Sequence, residues 1–300
     1  MAKRIVVALG GNAILTSDPT AQAQSTALNK TADQLMPLIK DNDVEMVVTH
    51  GNGPQVGNLL LQQLESNSVK NPAMPLDTAV AMTQGQIGLW MDNALNAALP
   101  DKKIATIITR TIVDKKDQAF KNPTKPIGSF MTKEEADELV REKGYKVIED
   151  SGRGYRRVVA SPKPVSIVEI DTIKALVESN HVVIACGGGG IPVFKTGGHH
   201  LKGAAAVIDK DFAAEKLAEQ LNADCLIILT AVEKVAIHFG TPEQEALSEL
   251  TPELAEKYIE EGEFPAGSML PKVQAAVAFT QSGEGRTSLI TLRSEERSCR

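Results

Sequence analysis

The run Ile5-Val-Val-Ala-Leu9 is followed at once by Gly10-Gly11-Asn12, and this combination decides the fold. An unbroken apolar run of this length is typical of a strand buried on both faces, as in a parallel sheet. The same pattern returns twice, at Val44–Thr49 before Gly51-Asn52-Gly53 and at Val182–Cys186 before Gly187–Gly190. Because parallel sheets bind ligands beyond the carboxyl ends of their strands, the three glycine clusters predict one binding site.

Helical patterns alternate with such strands along the chain. Further strands are predicted at Ile104–Thr109, Cys225–Leu229 and Thr287–Leu292. Apolar residues at helical spacing predict helices over roughly 20–40, 54–65, 78–99, 204–221, 252–261 and 269–280. This alternation predicts an α/β fold in which an open, mainly parallel sheet lies between helices.

The stretch from about Asp114 to Pro164 interrupts the alternation. It is rich in proline and in charged residues, with a short helical pattern at Lys133–Lys143. The stretch is either an inserted subdomain, called here the lid and defined as residues 117–163, or a long crossover loop; we favour the lid. Its prolines stiffen the backbone around Lys125 without anchoring it to a core. We therefore expect the lid to move more than the sheet when no ligand is bound.

Composition excludes several classes of protein. The chain has 300 residues, 42% of them apolar, and a net charge of −6, which is ordinary for a globular protein. There is no global basic field for nucleic acid or anionic membrane, and 4% aromatic residues are too few for a base-stacking platform. No apolar stretch approaches the roughly 18 residues of a membrane-spanning helix, and no signal-peptide cleavage pattern follows the first strand. We expect a cytoplasmic protein that binds neither nucleic acid nor membrane.

Familiar phosphate-binding motifs do not fit the glycine clusters. The Gly-Lys pair of a Walker A loop never occurs. The segment Gly51–Gly57 resembles a dinucleotide fingerprint, but its last glycine is one residue late and no acidic residue follows at the distance that ribose recognition requires. What remains is glycine-rich helix starts, whose backbone N–H groups bind anions, or tight turns that bind no ligand. The four glycines at 187–190 cost backbone entropy, which predicts the close approach of a ligand.

Two lysines lie in patterns that suit a phosphate group. Lys210 stands between Asp209 and Asp211 in a helical pattern, and Lys272 lies in the first turn of a predicted helix. A cation at a helix N-terminus is unfavourable unless an anion is also there. Each lysine on its own could be a solvated surface charge, and metal binding by Asp209 and Asp211 has no further acidic cluster to support it.

Several longer motifs resemble the carbamate kinases of the amino-acid-kinase family. They follow one another from about residue 3 to 292, as Ala8–Ala13, His50–Asn58, Met82–Gly88, Asn122–Gly128, Gly152–Arg157, Ser161–Pro164, Cys186–Pro192, Ala206–Asp211 and Gly267–Lys272. The resemblance implies a single amino-acid-kinase-like domain over 1–300, with a carbamate-binding lobe over about 1–200, a nucleotide-binding lobe over about 201–300, and the lid over the active site. It implies reversible phosphoryl transfer between ATP and carbamate, giving ADP and carbamoyl phosphate, used to make ATP in arginine catabolism.

The resemblance also implies roles for individual residues. Lys210 and Lys272 contact the nucleotide phosphates, Asp211 orients these lysines, and Lys125 reaches the transferred group. The glycine clusters hold the carbamate and phosphoryl oxygens, through Gly10, Gly11, Asn12, Gly51, Asn52, Gly53, Gly187, Gly188, Gly189 and Gly190. The segment Thr230–Phe239 faces the adenosine, and the nucleotide is contacted by Thr230, Ala231, Val232, Val235, Phe239 and Met269. Mg²⁺ is held mainly by the nucleotide phosphates rather than by protein ligands.

The resemblance implies a homodimer, and the predicted helix over Gln84–Leu99 could supply its interface. This helix mixes Ile87, Leu89, Trp90 and Leu95 with polar residues, and the alternative is an internal core helix. The residues from about 293 to 300 match nothing in the family pattern. A second function remains open at this stage, a kinase-like binding or regulatory protein that kept the fold without the activity.

The first strand also bears on the acceptor. Related kinases that phosphorylate amino-acid carboxylates resemble one another in a lysine on this strand, and Ala8 stands at the matching position here. The missing cation must come from elsewhere, and Lys125 is the candidate. This substitution favours carbamate over an amino-acid carboxylate as the acceptor.

Overall fold

The computed structural model describes residues 2–10, 14, 18–39, 44–150 and 152–291. The strands are β1 (Lys3–Leu9), β2 (Val44–His50), β3 (Lys103–Thr106), β4 (Arg110–Val113), β5 (Lys125–Met131), β6 (Lys146–Glu149), β7 (Tyr155–Val159), β8 (Pro164–Ile167), β9 (His181–Ile184), β10 (Ile191–Lys195), β11 (Leu201–Gly203), β12 (Cys225–Leu229), β13 (Ala236–Ile237), β14 (Glu245–Ala246) and β15 (Thr287–Thr291). The helices are α1 (Ala21–Ile39), α2 (Gly53–Glu65), α3 (Leu76–Ala98), α4 (Lys133–Lys143), α5 (Ile170–Glu178), α6 (Lys210–Gln220), α7 (Pro252–Glu260) and α8 (Met269–Gln281).

The central sheet has six strands in the order β15-β12-β1-β2-β9-β3, and every neighbouring pair is parallel. This confirms the prediction of an α/β fold with a mainly parallel sheet. Because the strands run the same way, their carboxyl ends lie along one edge of the sheet. Gly10, Gly51 and Gly187 follow β1, β2 and β9 at that edge, where parallel sheets bind ligands.

Successive residues of β1 face opposite layers of helices. Ile5, Val7 and Leu9 belong to one buried apolar cluster together with residues of α1 and α3. Val6 and Ala8 belong to a second buried cluster, with residues of α5, α6 and α8. Side chains alternate between the two faces of a strand, and both faces are covered here. That double burial explains why β1 reads as an unbroken apolar run.

Besides the antiparallel pair of β13 and β14, two further sheets lie outside the central one. The first has the order β11-β10-β4-β8 and includes both parallel and antiparallel pairs. The second is antiparallel, in the order β5-β7-β6, and lies entirely within residues 125–159. In the same segment, Thr132 and Glu135 form a reciprocal capping box at the start of α4, and Gly144 ends that helix with a left-handed φ of 65°. The lid segment therefore has a regular secondary structure of its own.

The helix predicted over 204–221 is wrong in its first six residues, because α6 begins only at Lys210. Residues 204–208 run as an irregular segment that is buried except at Ala205. In it the N–H of Ala204 donates to Pro192 and the N–H of Val207 donates to Ala160. The side chain of Asp209 then accepts a hydrogen bond from the N–H of Asp211 and so caps the helix. A short apolar run does not distinguish a buried non-helical segment from a helical turn, which is why the sequence pattern extended the helix too far.

Some of the predicted features lie outside the described residues, namely Gly11, Asn12 and the unusual stretch 293–300. Within the ranges that the structure describes, no helix is long and apolar enough to cross a membrane.

Candidate active site

A buried carboxylate joins the two lysines that the sequence singled out. The Nζ of Lys210 donates to Oδ1 of Asp211 over 2.5 Å, and the Nζ of Lys272 donates to Oδ2 of the same carboxylate over 2.7 Å. Asp211 is only 3% exposed and lies in the first turn of α6. Two ammonium groups from different helices therefore meet on one carboxylate, and the structure brings together residues that are 61 positions apart in the chain.

Lys210, Lys272 and Asp211 together carry a net positive charge. Burial lowers the pKa of the Lys210 ammonium, and the nearby Lys272 lowers it as well, whereas Asp211 raises it. Lys272 lies in the first turn of α8, where the helix dipole also disfavours a cation. One carboxylate offsets two ammonium groups only in part. The cluster is therefore suited to receive a further anion.

Gly51 and Gly53 place the start of α2 beside this cluster. A Cβ added to Gly51 would lie 3.3 Å from Cδ of Lys210, so the lysine side chain passes directly over this glycine. A Cβ added to Gly53 would meet no described heavy atom within 4 Å, which leaves open space in front of the helix. The side chain of Asn52 makes no capping hydrogen bond to α2, and its Nδ2 donates to Thr83 over 2.9 Å. The start of α2 therefore has no side-chain cap from Asn52, which suits a helix N-terminus that binds an anion.

The four glycines at 187–190 are buried, and the protein itself crowds them. A Cβ on Gly187 would lie 2.5 Å from the ring of His50, and one on Gly188 would lie 2.3 Å from the amide of Asn52. Added Cβ atoms on Gly189 and Gly190 would lie 2.4 Å from a backbone oxygen of Ile208 and 2.0 Å from Oγ1 of Thr111. Close approach to neighbouring protein atoms therefore requires glycine here, and the contact of these glycines with a ligand stays a prediction.

Gln84 ties three parts of the site together, and the sequence analysis did not single it out. Its Nε2 donates to the carbonyls of Thr109 and Gly187 over 3.1 and 2.8 Å, and its Oε1 accepts from the N–H of Thr109 over 2.8 Å. The side chain is 2% exposed. The strand predicted over 104–109 ends at Thr106, and Gln84 bonds the backbone N–H and carbonyl of Thr109 beyond that end. The only sequence signal was its place within the Met82–Gly88 motif.

His50 supports the turn that follows β2. The ring is 1% exposed, and Nδ1 donates to the carbonyl of Gly51 over 2.9 Å. Burial lowers the pKa of His50 to about 4, and the hydrogen bond with Gly51 offsets this only in part. His50 is therefore neutral near pH 7 and adds no charge to the site.

Lys125 reaches this region from the lid. It is the first residue of β5, and its Nζ donates to Oδ2 of Asp209 over 2.8 Å. Asp209 is the residue immediately before Lys210 and Asp211. The structure thus places a third lysine, from the lid, at the same helix start as Lys210.

The predicted nucleotide-binding residues surround the end of β12 and the start of α8. The N–H of Thr230 donates to the carbonyl of Thr291 over 2.9 Å. Val235 is buried in an apolar cluster against which Met269 packs. Phe239 is 60% exposed. In the rest of this segment, Ala231 is exposed and Val232 is half-buried.

Gly10 is required by the packing of two strand ends. A Cβ there would lie 2.5 Å from the carbonyl oxygen of Leu229, the last residue of β12. The two strands converge at this glycine because β1 and β12 are neighbours in the sheet. The next two residues of the motif, Gly11 and Asn12, are among those not described.

The carboxylates near the lysines are engaged by protein donors. Both oxygens of Asp211 accept from lysines, and Asp209 accepts from Lys125 and from a backbone N–H. In the part of the chain that the structure describes, no group of three or more His, Cys, Asp or Glu side chains is arranged to hold a metal ion.

Comparisons of sequence and of structure with known proteins each find matches over nearly the whole chain. The sequence pattern of the Amino acid kinase family matches residues 3–291. Carbamate kinase from Oenococcus oeni is 54% identical, over 97% of this chain and 94% of that protein, and carbamate kinase 1 from Enterococcus faecium is 53% identical with the same coverage. The structure of carbamate kinase from Giardia lamblia bound to AMP-PNP is similar with a TM-score of 0.90 at 41% identity, covering 98% of this chain and 94% of that one.

Proposed function

Because the chain belongs to the amino acid kinase family, we propose that it is a carbamate kinase, which transfers a phosphoryl group reversibly between ATP and carbamate and so forms ADP and carbamoyl phosphate. The observation that carries this proposal is the pair of lysines on one buried carboxylate beside the start of α2. The carbamate kinases that match at 51–54% identity support the choice of acceptor.

The chemistry requires alignment and charge neutralisation rather than acid–base catalysis. An oxygen of carbamate attacks the γ-phosphorus of ATP, the bond from that phosphorus to the bridging oxygen breaks, and ADP leaves with the electron pair. Carbamate already carries its nucleophilic oxygen as an anion, so no general base is needed. What the reaction needs is cations and N–H donors around the transferring group.

The described residues supply these donors in two groups. Lys210 and Lys272 contact the nucleotide phosphates, and Asp211 holds the two lysines in place through its two oxygens. The N–H groups at Gly51–Gly53 contact the carbamate and phosphoryl oxygens at the N-terminus of α2. Gly10 and the glycines at 187–190 shape the neighbouring backbone, and Lys125 contacts the transferred group from the lid. We assign the adenosine to Thr230–Phe239 and Met269.

Mg²⁺ is the metal that we propose for the reaction, carried on the phosphates of the nucleotide. Its chemistry is to neutralise charge on the β- and γ-phosphoryl oxygens. The donor set fits this arrangement, because the carboxylates of Asp209 and Asp211 are already engaged by lysines and a backbone N–H. The protein's own residues then bind the nucleotide phosphates, and these phosphates carry the metal.

The setting that we propose follows the family resemblance: a cytoplasmic homodimer that makes ATP from carbamoyl phosphate in arginine catabolism. The reverse transfer therefore gives the most direct assay. Purified protein is mixed with ADP, Mg²⁺ and carbamoyl phosphate, and ATP is followed through a coupled enzyme. Asp211→Asn serves as the control, because it keeps the shape of the side chain and removes the charge that orients the lysines.

ATP formation by the wild-type protein, with a loss of at least about 10²-fold in Asp211→Asn, is the expected result. Replacing carbamoyl phosphate with acetyl phosphate tests which acyl phosphate the site prefers, and hence which acceptor it uses in the forward reaction. We expect the rate with carbamoyl phosphate to be higher. A protein that binds ADP by calorimetry yet forms no ATP would be the kinase-like binding protein of the alternative hypothesis.

A further inference from the structure

Asp209 connects the lid to the start of α6 through its two carboxylate oxygens. Oδ1 accepts from the N–H of Asp211 over 2.9 Å and so caps the helix. Oδ2 accepts from Nζ of Lys125 over 2.8 Å, across 84 positions of the chain. The two side chains are 17% and 36% exposed, so the ion pair is largely shielded on the side of Asp209.

The pair is held in an electrostatic setting that keeps Asp209 ionised. Burial on its own raises the pKa of the Asp209 carboxyl, but the Lys125 ammonium, the hydrogen bond from Asp211 and the charge of Lys210 together lower it below its usual value. Hydrogen bonds between ionised groups are stronger than neutral ones, particularly where water is partly excluded. Lys125 is therefore bound to an ionised carboxylate.

The segments that carry Lys125 and Asp209 are also joined by a backbone hydrogen bond and by apolar contacts. The N–H of Val207 donates to the carbonyl of Ala160 over 3.0 Å, just after β7 ends and two residues before Asp209. Ile127 and Val159 of the lid sheet are buried in one apolar cluster with Val207. Lys125 pairs directly with Val159. The lysine therefore stands at the base of the lid, where the lid sheet packs against the segment that leads into α6.

We propose that Asp209 is a positioning residue, which anchors the Lys125 ammonium at the N-terminus of α6 so that a third cation is ready beside Lys210 when the phosphoryl group arrives. This inference rests on the proposed function, in which Lys125 contacts the transferring phosphoryl group. Asp209 does not itself contact the substrate. It acts by limiting the places that the lysine can occupy.

Substitution can separate the two roles of Asp209, capping α6 and binding Lys125 through its charge. Asparagine is as good a helix cap as aspartate, so Asp209→Asn keeps the bond to the N–H of Asp211. The other amide group is then NH₂, which cannot accept a hydrogen bond from Lys125, and the charge that holds Lys125 is gone. Asp209→Ala removes both the cap and the charge. A loss due to the charge appears in both variants, whereas a loss due to the cap appears only in Asp209→Ala.

We expect Asp209→Asn to lower kcat by about 10- to 100-fold and to change KM for ADP by less than about twofold, because the ADP phosphates rest on Lys210 and Lys272. Its melting temperature should stay close to that of the wild type, whereas that of Asp209→Ala should fall. Glu219→Gln is the matched control, since it removes a carboxylate that binds Lys216 further along the same helix. This control should keep full activity.

A double-mutant comparison decides whether Asp209 acts through Lys125. In a Lys125→Ala background, adding Asp209→Asn should change kcat by less than about twofold, because the ammonium group that Asp209 binds is already absent. If the two losses multiply instead, Asp209 acts on another group and the proposal is wrong. An unchanged kcat in Asp209→Asn alone would also overturn it.

Hydrogen exchange separates this inference from the proposed function, because it needs no substrate and no activity. The amides of β5 and β7 should exchange faster in Asp209→Asn than in the wild type, and the amides of the central sheet should not change. Equal exchange in the lid of both proteins would show that the ion pair does not anchor it. If the wild-type protein forms no ATP but the amides of β5 and β7 still exchange faster in Asp209→Asn, the carbamate kinase assignment is rejected and the anchor is kept.

Discussion

Single residues at the centre of the site should decide turnover. We expect Lys210→Ala and Lys272→Ala each to lower kcat by at least about 10²-fold, the scale of losing one electrostatic stabiliser of the transition state. Each variant removes one of the two ammonium groups on Asp211, and the other remains to keep that buried carboxylate paired. Steady-state assays measure the loss, and circular dichroism confirms folding. Lys216→Ala on the same helix is the control, and near-normal turnover in either site variant would reject the roles that we propose.

Glycines of the site serve different physical purposes, which a pair of substitutions separates. Gly188→Ala places a methyl group 2.3 Å from the Asn52 amide at a φ of +66°, so we expect it to lower the free energy of unfolding by about 2–4 kcal/mol. Gly53→Ala finds open space, so stability should change by less than about 1 kcal/mol while turnover falls, because the methyl group enters the proposed anion site. Urea denaturation and kinetics measure the two quantities. Equal stability of both variants would contradict this account of the glycines.

The buried His50 should make stability fall in mild acid. Its pKa is about 4 in the folded chain and 6.5 as a free side chain, so between these values the unfolded chain binds a proton that the folded chain does not. Stability from this residue is complete above about pH 6.5 and is lost as the pH falls towards 4, by roughly 3 kcal/mol in all. Urea unfolding at several pH values measures the slope. His50→Asn, which keeps a donor for the Gly51 carbonyl, should flatten that slope; an unchanged slope would mean that His50 does not titrate as described.

At the scale of elements, the lid should control transfer more than binding. Lys125 contacts the transferring group in our proposal, and that contact strengthens only as the reaction proceeds. We expect Lys125→Ala to reduce kcat strongly and to leave the affinity for ADP, measured by calorimetry, almost unchanged. If the affinity for ADP fell in proportion to kcat, Lys125 would be an ordinary nucleotide ligand. The greater mobility of residues 117–163 stays a prediction, and the hydrogen exchange of the wild-type lid relative to the sheet tests it.

The element boundaries show where sequence patterns succeed and where they stop. Strands buried on both faces, such as β1 and β12, were predicted correctly because each is a short apolar run that ends in glycine or a turn. The segment 204–208 was mistaken for helix because its conformation depends on hydrogen bonds to Ala160 and Pro192, which are distant in the chain. The site residue Gln84 was missed for the same reason, since its two partner residues, Thr109 and Gly187, are known only once the chain is folded.

The glycine clusters illustrate the same limit at the site. Their location beyond the strand ends followed from the sequence, because the carboxyl edge of a parallel sheet is a general property of the fold. The reason for four glycines at 187–190 did not, because the crowding comes from His50, Asn52 and Thr111 on other elements. The meeting of Lys210 and Lys272 on one carboxylate likewise required the packing of α6 against α8.

For the whole molecule, we propose a homodimer, whose interface we place on α3. The prediction for this helix needs one correction, because Ile87 and Leu95 are fully buried in the core of the chain itself. Trp90 packs half-buried against the same core, and Leu89, 59% exposed, remains. Met82, which the prediction did not include, is 44% exposed and lies seven residues before Leu89 on the same face. Light scattering at micromolar concentration should give about twice the chain mass of 32.1 kDa.

Substitution on that face tests its role in the dimer. Leu89→Glu should shift the protein to the monomer, because burying an unpaired charge in an apolar interface is costly. Val165→Glu changes a residue of similar exposure on β8 and should leave the dimer intact. A wild-type monomer would refute the dimer, and a dimeric Leu89→Glu protein would place the interface elsewhere.

The position of β1 inside the central sheet has a consequence for how the chain is made. Ile5 pairs with Cys225, 220 residues later, and no earlier strand can occupy that side of β1. At roughly 5–20 residues per second, a ribosome needs about 10–45 s to make the intervening chain. Throughout that time the nascent protein carries an apolar strand with one open edge, a template for wrong pairing with other chains. The first strand to emerge is thus among the last to be completed, and chaperones that shield such edges should matter most before residue 229 leaves the exit tunnel.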